Sequence, residues 1–268
     1  MKAIEKLINK NKEGKIICVG LDTDITKIPS HLKSFTNPVM EFNKTIIENT
    51  APYAAAFKIN FAFYESNGVE GLRNLEKTLS LIPDDILVIA DAKRGDIGNT
   101  SSMYAKSVYE HFKCDAVTIH PYMGEDSVRP FLEYEDKLNF ILALTSNSGA
   151  SDFEKLKLED GSFLFQKVIS KVNSWNSKRN CGIVFGATKI AELKENINSF
   201  ENLAVLLPGV GAQGGSLEEV VKTFKENNRL NLVVNVSRSI LYKSTGTDFG
   251  EAAQNEIAEL NKTVINLL

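Results

Sequence analysis

Short apolar runs recur along the whole chain and are separated by longer segments of mixed polarity. Eight runs are nearly continuous in apolar residues and rich in Val and Ile, and they cover residues 16–22, 54–60, 86–91, 115–120, 139–144, 181–185, 203–207 and 231–236. Runs of this length and composition are typical of strands that are buried on both faces of a parallel sheet. The pattern therefore predicts eight such strands.

The segments between these runs show the apolar spacing of three and four residues that indicates amphipathic helices. Clear examples begin near Met40, Val69 and Leu217. Alternation of strand and helix favours an α/β fold, and eight repeats favour a closed (β/α)8 TIM barrel over an open sheet. The longest interruption, at about 147–180, predicts a loop and one longer outer helix inserted into a single domain of residues 1–268.

The composition narrows the class of protein. The 268 residues carry 31 Lys and Arg against 34 Asp and Glu, and a net charge of −3 gives no reason to expect nucleic acid or an anionic membrane as partner. No apolar run approaches the roughly 18 residues that span a bilayer. Cys18, Cys114 and Cys181 form no C-x-x-C pair, so we expect buried free thiols in a reduced, cytoplasmic protein.

Polar residues gather at the carboxyl ends of the predicted strands, where a barrel carries its chemistry. They are Asp22, Lys58, Asp91, Thr145, Ser146, Asn147, Ser237 and Arg238, together with the glycine-rich segment that begins at Pro208. One charged residue at a strand end is typical of a surface or capping position. Several at one rim of one barrel point at the same cavity, which predicts a functional site there.

Residues 91–100, of sequence DAKRGDIGNT, are the densest of these segments. Extended backbone places Asp91 and Lys93 on one side of the strand, and Asp96 follows Gly95, where the chain can turn. Carboxylates that alternate with an ammonium group keep one another ionised, and such an array suits the stabilisation and protonation of a carbanion. A helix N-terminus with Asp96 in its first turn explains the same segment equally well.

Residues 209–214 match G-x-G-x-x-G between a predicted strand and a predicted helix, and the N–H groups of such a loop can cradle a phosphate. A dinucleotide-binding fold would place this motif early in the chain, with an acidic residue about 20 positions later. Here the motif follows the seventh strand and Arg238 follows the eighth. Barrels commonly bind phosphate at those two loops, so the sequence predicts a phosphorylated substrate.

The three histidines, His31, His111 and His120, show no metal-ligand spacing, so the residues predict neither a metal nor an organic cofactor. His120 ends the fourth predicted strand. It is either part of the pocket wall or a histidine with a structural role.

The chain resembles the orotidine 5′-phosphate decarboxylase family, in its branch of longer bacterial chains. The resemblance covers essentially the whole chain. It rests on the D-x-K-x-x-D signature in residues 91–98, on the phosphate loop in residues 208–214 and on residues 121–127. The chain departs from the family pattern at Ser148, where a proline is expected, and this change affects the stiffness of the loop.

The resemblance implies that a homodimer converts orotidine 5′-monophosphate to uridine 5′-monophosphate and CO2, the last step of de novo UMP synthesis, without metal or cofactor. Lys93 would protonate the C6 carbanion that remains when CO2 leaves. Asp91 and Asp96 would keep Lys93 charged and crowd the substrate carboxylate, with Asp96 reaching in from the neighbouring subunit.

The same resemblance implies which residues bind the substrate. Asp22, Lys58 and the partner's Thr100 would bind ribose hydroxyls or complete the charge network. Ser146 would hydrogen-bond the pyrimidine, and Gln213 and Arg238 would hold the phosphate. The full set of implied binding residues is Asp22, Thr100, Ile97, Ser146, Pro208, Gly211, Gln213 and Arg238.

Two other functions stay open on the residues alone. A magnesium-dependent sugar-phosphate lyase or aldolase of the same superfamily would hold a metal between Asp91 and Asp96. Such a site favours a carboxylate at the strand end that Lys58 occupies. A non-catalytic phosphometabolite-binding protein would need Gln213 and Arg238 but not Lys93.

Overall fold

The structure is a computed structural model that describes residues 1–211 and 214–268. In this part of the chain, eight parallel strands close into a barrel in chain order. They are β1 Ile17–Gly20, β2 Ala56–Asn60, β3 Leu87–Arg94, β4 Ala116–Ile119, β5 Leu138–Leu144, β6 Cys181–Phe185, β7 Ala204–Pro208 and β8 Leu232–Val236. β8 pairs with β1 and closes the ring. The predicted α/β class and (β/α)8 barrel are therefore confirmed.

Helices connect the strands and form the outer layer. They are α1 Ala3–Lys12, α2 Pro38–Thr50, α3 Phe61–Glu65, α4 Gly68–Leu79, α5 Gly98–Lys106, α6 Glu125–Leu132, α7 Leu164–Trp175, α8 Ile190–Asn196, α9 Leu217–Glu226, α10 Arg238–Leu241 and α11 Phe249–Leu267. The spacing near Met40, Val69 and Leu217 corresponds to α2, α4 and α9. The long segment at about 147–180 holds a 3-10 turn, then α7 and a second short turn.

Strand residues alternate between two apolar clusters. In β1, for example, Ile17 and Val19 pack outward against the helices, whereas Cys18 belongs to the cluster inside the barrel. Leu7 of α1 joins this inner cluster, and Lys6 pairs with Asp115, just before β4, at 2.8 Å. Helix α1 therefore covers the amino ends of the strands.

The third strand departs from its predicted bounds. The apolar run ends at Asp91, but β3 continues to Arg94, which pairs with Ile119 of β4. The pairing shifts register between Ala90 and Arg94, and Lys93 adopts a left-handed backbone conformation with φ of 45°. Hydrophobicity could not predict this extension because it lies in a polar segment.

Within the described residues, no helix combines the length and apolar character needed to cross a membrane. The three cysteines are buried free thiols, as predicted. Burial raises the pKa of the Cys114 and Cys181 thiols to about 12, so both are neutral at physiological pH.

Candidate active site

Two adjoining cavities lie at the carboxyl ends of the strands. The first, of about 290 Å³, receives side chains from β2, β3 and β4 and from the loop after β5. The second, of about 320 Å³, lies against the loop after β7 and the start of α10. Both are lined by Asp22, Pro208 and Asn235, so the two cavities form one cleft.

Lys58 lies inside the barrel on β2, and only 5% of its side chain is exposed. Its Nζ is 2.9 Å from Asp91 Oδ2 and 3.5 Å from Asp22 Oδ1. Burial disfavours the charged amine, but the two carboxylates outweigh it and raise the pKa of Lys58 above its usual value. The ammonium group thus lies between two carboxylates, which compensate for the burial of its charge.

The Asp91 carboxylate is shared among three donors. Its Oδ2 accepts from Lys58, while its Oδ1 accepts from Lys93 Nζ at 2.6 Å and from the Thr118 hydroxyl at 2.9 Å. Burial alone would raise the pKa of this carboxyl, but the ammonium groups of Lys58 and Lys93 hold it well below its usual range. Asp91 is therefore an ionised acceptor.

Lys93 is the more accessible of the two lysines, since half of its side chain is exposed at the cavity. The structure brings it against Asp91, as the sequence predicted, although its left-handed φ means that the backbone is not simply extended. The alternative, a helix N-terminus with Asp96 in its first turn, is wrong in its placement of Asp96, because α5 begins at Gly98 and has no acidic residue in its first turn.

Asp96, Ile97 and Thr100 lie outside this arrangement. Asp96 accepts a hydrogen bond from the backbone N–H of Ile97 at 2.8 Å, and the Ile97 side chain is 59% exposed. Thr100 is exposed on the first turn of α5. Among the described residues that line the two cavities, none of these three is found. They therefore lie outside the lining of both cavities in their own chain.

The glycine-rich loop after β7 folds back on itself. Gly209 and Gly211 both have positive φ, which glycine adopts without strain. Gly215 donates to the carbonyl of Gly209 at 3.0 Å, and Gly211 donates to the carbonyl of Gly215 at 3.2 Å. Pro208 and Gly209 line the second cavity, whereas Gly211 is not among its lining residues in the described part.

Arg238 begins α10 and lines the second cavity, whereas Lys58, Asp91 and Lys93 line the first. Arg238 thus lines the same cavity as Pro208 and Gly209 of the glycine-rich loop, as predicted. Gln213, the other predicted phosphate ligand, lies outside the described residues.

Ser146 lines the first cavity from the loop after β5. The preceding residue is anchored, because the backbone N–H and hydroxyl of Thr145 both donate to the Glu154 carboxylate at 2.7 and 2.9 Å. Ser148 begins a 3-10 turn in which Ser151 donates to its carbonyl at 2.9 Å. Hydrogen bonds therefore hold this loop where a proline is expected in the family.

Sequence reasoning missed two inward-facing polar residues, Thr118 on β4 and Asn235 on β8. Asn235 Nδ2 donates to Ser237 Oγ at 3.3 Å, and Ser237 donates to Asp22 Oδ2 at 2.9 Å. Both missed residues occupy alternate strand positions that face the barrel interior. A polar residue at such a position, inside an otherwise apolar run, is the signal that could have identified them.

His120 supports the turn of the signature segment. A Cβ placed on Gly95 would lie 2.3 Å from His120 Nε2, so the imidazole fills the space of a side chain there. The backbone N–H of His120 also donates to the carbonyl of Arg94 at 3.1 Å. Of the two interpretations, the geometry favours the structural role.

Comparison with known proteins shows which family of sequences this chain resembles. The model of the family described as "Orotidine 5'-phosphate decarboxylase / HUMPS family" matches residues 15–253. A relative named orotidine 5′-phosphate decarboxylase from Porphyromonas gingivalis is 47% identical over 254 residues, which cover 94% of this chain and 92% of the relative. A relative of the same name from Flavobacterium johnsoniae is 44% identical and covers 98% of this chain and 96% of its own length.

Solved structures show the same architecture. The structure of Leishmania donovani OMP decarboxylase has a TM-score of 0.82 and 33% sequence identity to this chain, covering 99% of it and 100% of that chain. The structure of a putative orotidine 5′-phosphate decarboxylase from Streptomyces avermitilis has a TM-score of 0.84 at 29% identity, covering 99% and 95%.

The depressed pKa of Asp91 predicts stability that is lost in acid. Below the ordinary value of 3.8 the unfolded chain binds a proton at this carboxyl while the folded protein does not, so falling pH favours unfolding. We expect the free energy of unfolding to fall more steeply below about pH 4 in the unaltered protein than in Asp91→Asn. At neutral pH the variant should be less stable by about 3 kcal/mol, because Lys58 loses its closer partner.

Urea unfolding at pH values from 7 down to 2 measures both effects. Glu133→Gln, which removes an exposed carboxylate paired with Lys178, is the control and should leave the acid profile near that of the unaltered protein. Parallel profiles for Asp91→Asn and the unaltered protein would show that Asp91 does not contribute this acid dependence.

Proposed function

The chain belongs to the orotidine 5′-phosphate decarboxylase / HUMPS family, and we propose how its described residues carry out the decarboxylation. The protein is a carboxy-lyase that converts orotidine 5′-monophosphate to uridine 5′-monophosphate and CO2, in UMP biosynthesis. The observation that carries the proposed mechanism is the buried Asp91 carboxylate between two ammonium groups, at the carboxyl end of the barrel.

Lys93 is the proton donor in this proposal. When the bond between C6 and the substrate carboxylate breaks, its electron pair stays on C6 and CO2 leaves. A Lys93 N–H bond then breaks as the C6–H bond forms, and the resulting amine regains its proton from solvent. Lys93 suits this role better than Lys58, because its side chain is half exposed whereas that of Lys58 is almost fully buried.

Asp91 and Lys58 prepare the site for this step. Asp91 is ionised at neutral pH, so it directs the Lys93 ammonium group and repels the substrate carboxylate before CO2 leaves. Lys58 balances the buried charge of Asp91 from the opposite side. Fixed charges of this kind stabilise the charge that develops in the transition state without reorganising during the reaction.

Arg238 binds the phosphate in the second cavity, which Pro208 and Gly209 of the glycine-rich loop also line, and Gln213 is the second phosphate ligand of the proposal. A guanidinium group can hold a phosphate through two charge-assisted hydrogen bonds. Because this contact lies away from the reacting carbon, its binding energy can be used to hold that carbon in place in the first cavity. Ser146 hydrogen-bonds the pyrimidine, and Asp22 binds the ribose between the two cavities.

A homodimer completes each site. Asp96, Ile97 and Thr100 line neither cavity of their own chain. In the homodimer they reach into the cleft of the second copy. Exposed apolar side chains near the rim of the barrel support this arrangement, since Met103 is 55% and Tyr122 is 82% exposed. A cytoplasmic location, with the whole of residues 1–268 acting as one domain, is part of the same proposal.

The Lys93→Ala variant tests the proton donor. We expect kcat to fall by about 10²-fold or more, because general-acid catalysis contributes at least that much and no ionised carboxylate can replace the ammonium group. Binding of uridine 5′-monophosphate should change by less than about threefold. Spectrophotometric loss of orotidine 5′-monophosphate measures turnover, and calorimetry measures binding.

Two controls separate the rival functions. If EDTA abolishes turnover by the unaltered protein, the result would favour the magnesium-dependent lyase. Tight nucleotide binding by the unaltered protein without CO2 release would favour a non-catalytic binding protein.

The Arg238→Ala variant tests the phosphate contact. Loss of the Arg238 guanidinium group should lower kcat/KM for orotidine 5′-monophosphate, which corresponds to a loss of transition-state stabilisation on the order of 2–3 kcal/mol. The free energy of unfolding should change little. Steady-state kinetics with orotidine, which lacks the phosphate, provide the control. An equal penalty with orotidine would mean that Arg238 does not act through the phosphate.

Mixed dimers test the contribution of Asp96 across the interface. A Lys93→Ala chain and an Asp96→Ala chain, each nearly inactive alone, are mixed under conditions that exchange subunits. If Asp96 acts in the partner's site, each heterodimer contains one intact site, and random exchange makes about a quarter of all sites intact. Recovered activity near that fraction is expected. No recovery, with exchange demonstrated by an affinity tag, would place Asp96 in the site of its own chain.

A further inference from the structure

Thr118 lines the charged cavity and makes two hydrogen bonds through one hydroxyl group. It is on β4 and is 2% exposed. Its Oγ1 accepts from the backbone N–H of Lys93 at 3.0 Å and donates to Asp91 Oδ1 at 2.9 Å. A hydroxyl group carries one proton and two lone pairs, so both bonds can form together.

The first of these bonds compensates for a break in the sheet. The pairing of β3 with β4 shifts register between Ala90 and Arg94, and Lys93 lies inside this gap. The Thr118 hydroxyl therefore takes the place of a backbone acceptor for the Lys93 N–H. Lys93 also has a φ of 45°, a left-handed conformation that is unfavourable for a residue with a side chain and persists only where surrounding contacts hold it.

The second bond orients the carboxylate that meets the Lys93 side chain. Asp91 Oδ1 accepts from both the Thr118 hydroxyl and Lys93 Nζ, while Oδ2 accepts from Lys58. The Thr118 hydroxyl thus contacts Lys93 directly at its backbone N–H. It also contacts Asp91, the carboxylate that pairs with the Lys93 ammonium group.

We propose that Thr118 is a positioning residue for proton transfer, whose hydroxyl group holds Lys93 in its left-handed conformation and fixes the Asp91 carboxylate that directs the Lys93 ammonium group. This inference rests on the proposed function of Lys93 as the proton donor. Thr118 itself transfers no proton to the substrate, because its single proton is donated to Asp91. Its effect is therefore on kcat and not on nucleotide binding.

The experiment compares Thr118→Val with Thr118→Ser. Valine keeps the shape of threonine but leaves the Lys93 N–H and Asp91 Oδ1 without this partner, whereas serine keeps the hydroxyl. We expect kcat of Thr118→Val to fall by about 10²-fold, the loss that accompanies a displacement of roughly 1 Å at a reacting group. KM should change by less than about threefold in both variants, and Thr118→Ser should keep kcat within about threefold.

Thr223→Val is the matched control. Thr223 is also 2% exposed, its hydroxyl donates to the backbone carbonyl of Glu219 within α9, and it lines neither cavity of the cleft. This variant measures what the loss of a buried threonine hydroxyl does to stability alone. We expect it to lower the melting temperature while leaving kcat within about threefold of the unaltered protein. If Thr118→Val does not fold, Thr118→Ala replaces it under the same criteria.

Crystal structures of the Thr118 variants supply a readout that does not depend on turnover. We expect the Lys93 φ to leave the left-handed region in Thr118→Val, and in Thr118→Ala, but to stay there in Thr118→Ser. An unchanged Lys93 backbone in the variants without the hydroxyl overturns the proposal. So does a kcat for Thr118→Val within about threefold of the unaltered protein, or an equal loss in Thr118→Ser.

Failure of the proposed function is distinguishable from failure of this inference. If the unaltered protein releases no CO2 from orotidine 5′-monophosphate, the decarboxylase function is wrong. The Lys93 backbone in the crystal structures then decides by itself whether Thr118 holds that residue in place.

Discussion

The burial of the Asp91 carboxylate is the constraint on which the rest of the cleft depends. A charge inside a barrel is stable only when opposite charges and hydrogen-bond donors surround it. Lys58, Lys93 and Thr118 satisfy this carboxylate from three neighbouring strands, and Asp22 in turn balances Lys58. Removing any one of these groups takes a hydrogen-bond or charge partner from another buried group, so each of them constrains the others.

In the proposed mechanism, the cleft separates the reacting groups from the groups that bind the substrate phosphate. One cavity contains the charged array of β2 and β3, and the other contains Arg238 beside the glycine-rich loop. They are lined in common by Asp22, Pro208 and Asn235. In the proposed mechanism a substrate that spans both cavities uses its phosphate contacts to hold its reactive carbon against Lys93. Closure of the barrel brings β8 beside β1 and makes this arrangement possible.

The signature segment contributes to the cleft and to the outer surface within a few residues. Lys93 points into the first cavity, whereas the Arg94 side chain pairs with Glu65 and lies over the ring of Tyr104 at 5.4 Å. The next residue, Gly95, turns against the His120 imidazole, after which the chain leaves the rim. The segment is thus fixed on its outer side, and the strained backbone of Lys93 is held between anchored neighbours.

The sequence by itself determined the order of strands and helices and most of the residues at the rim, because buried parallel strands require short apolar runs and a charge within such a run must face a site. Lys58 and Asp91 were identifiable on that ground. Their pairing was not, because they are 33 residues apart and meet only when β2 and β3 become neighbours in the barrel. Threonine is common in strands, so Thr118 carried no signal in the sequence, and the segment around Lys93 predicts extended backbone. Only the register of β3 against β4 gives Lys93 its left-handed backbone and brings the Thr118 hydroxyl to it, since register is a property of two strands together and not of either sequence alone.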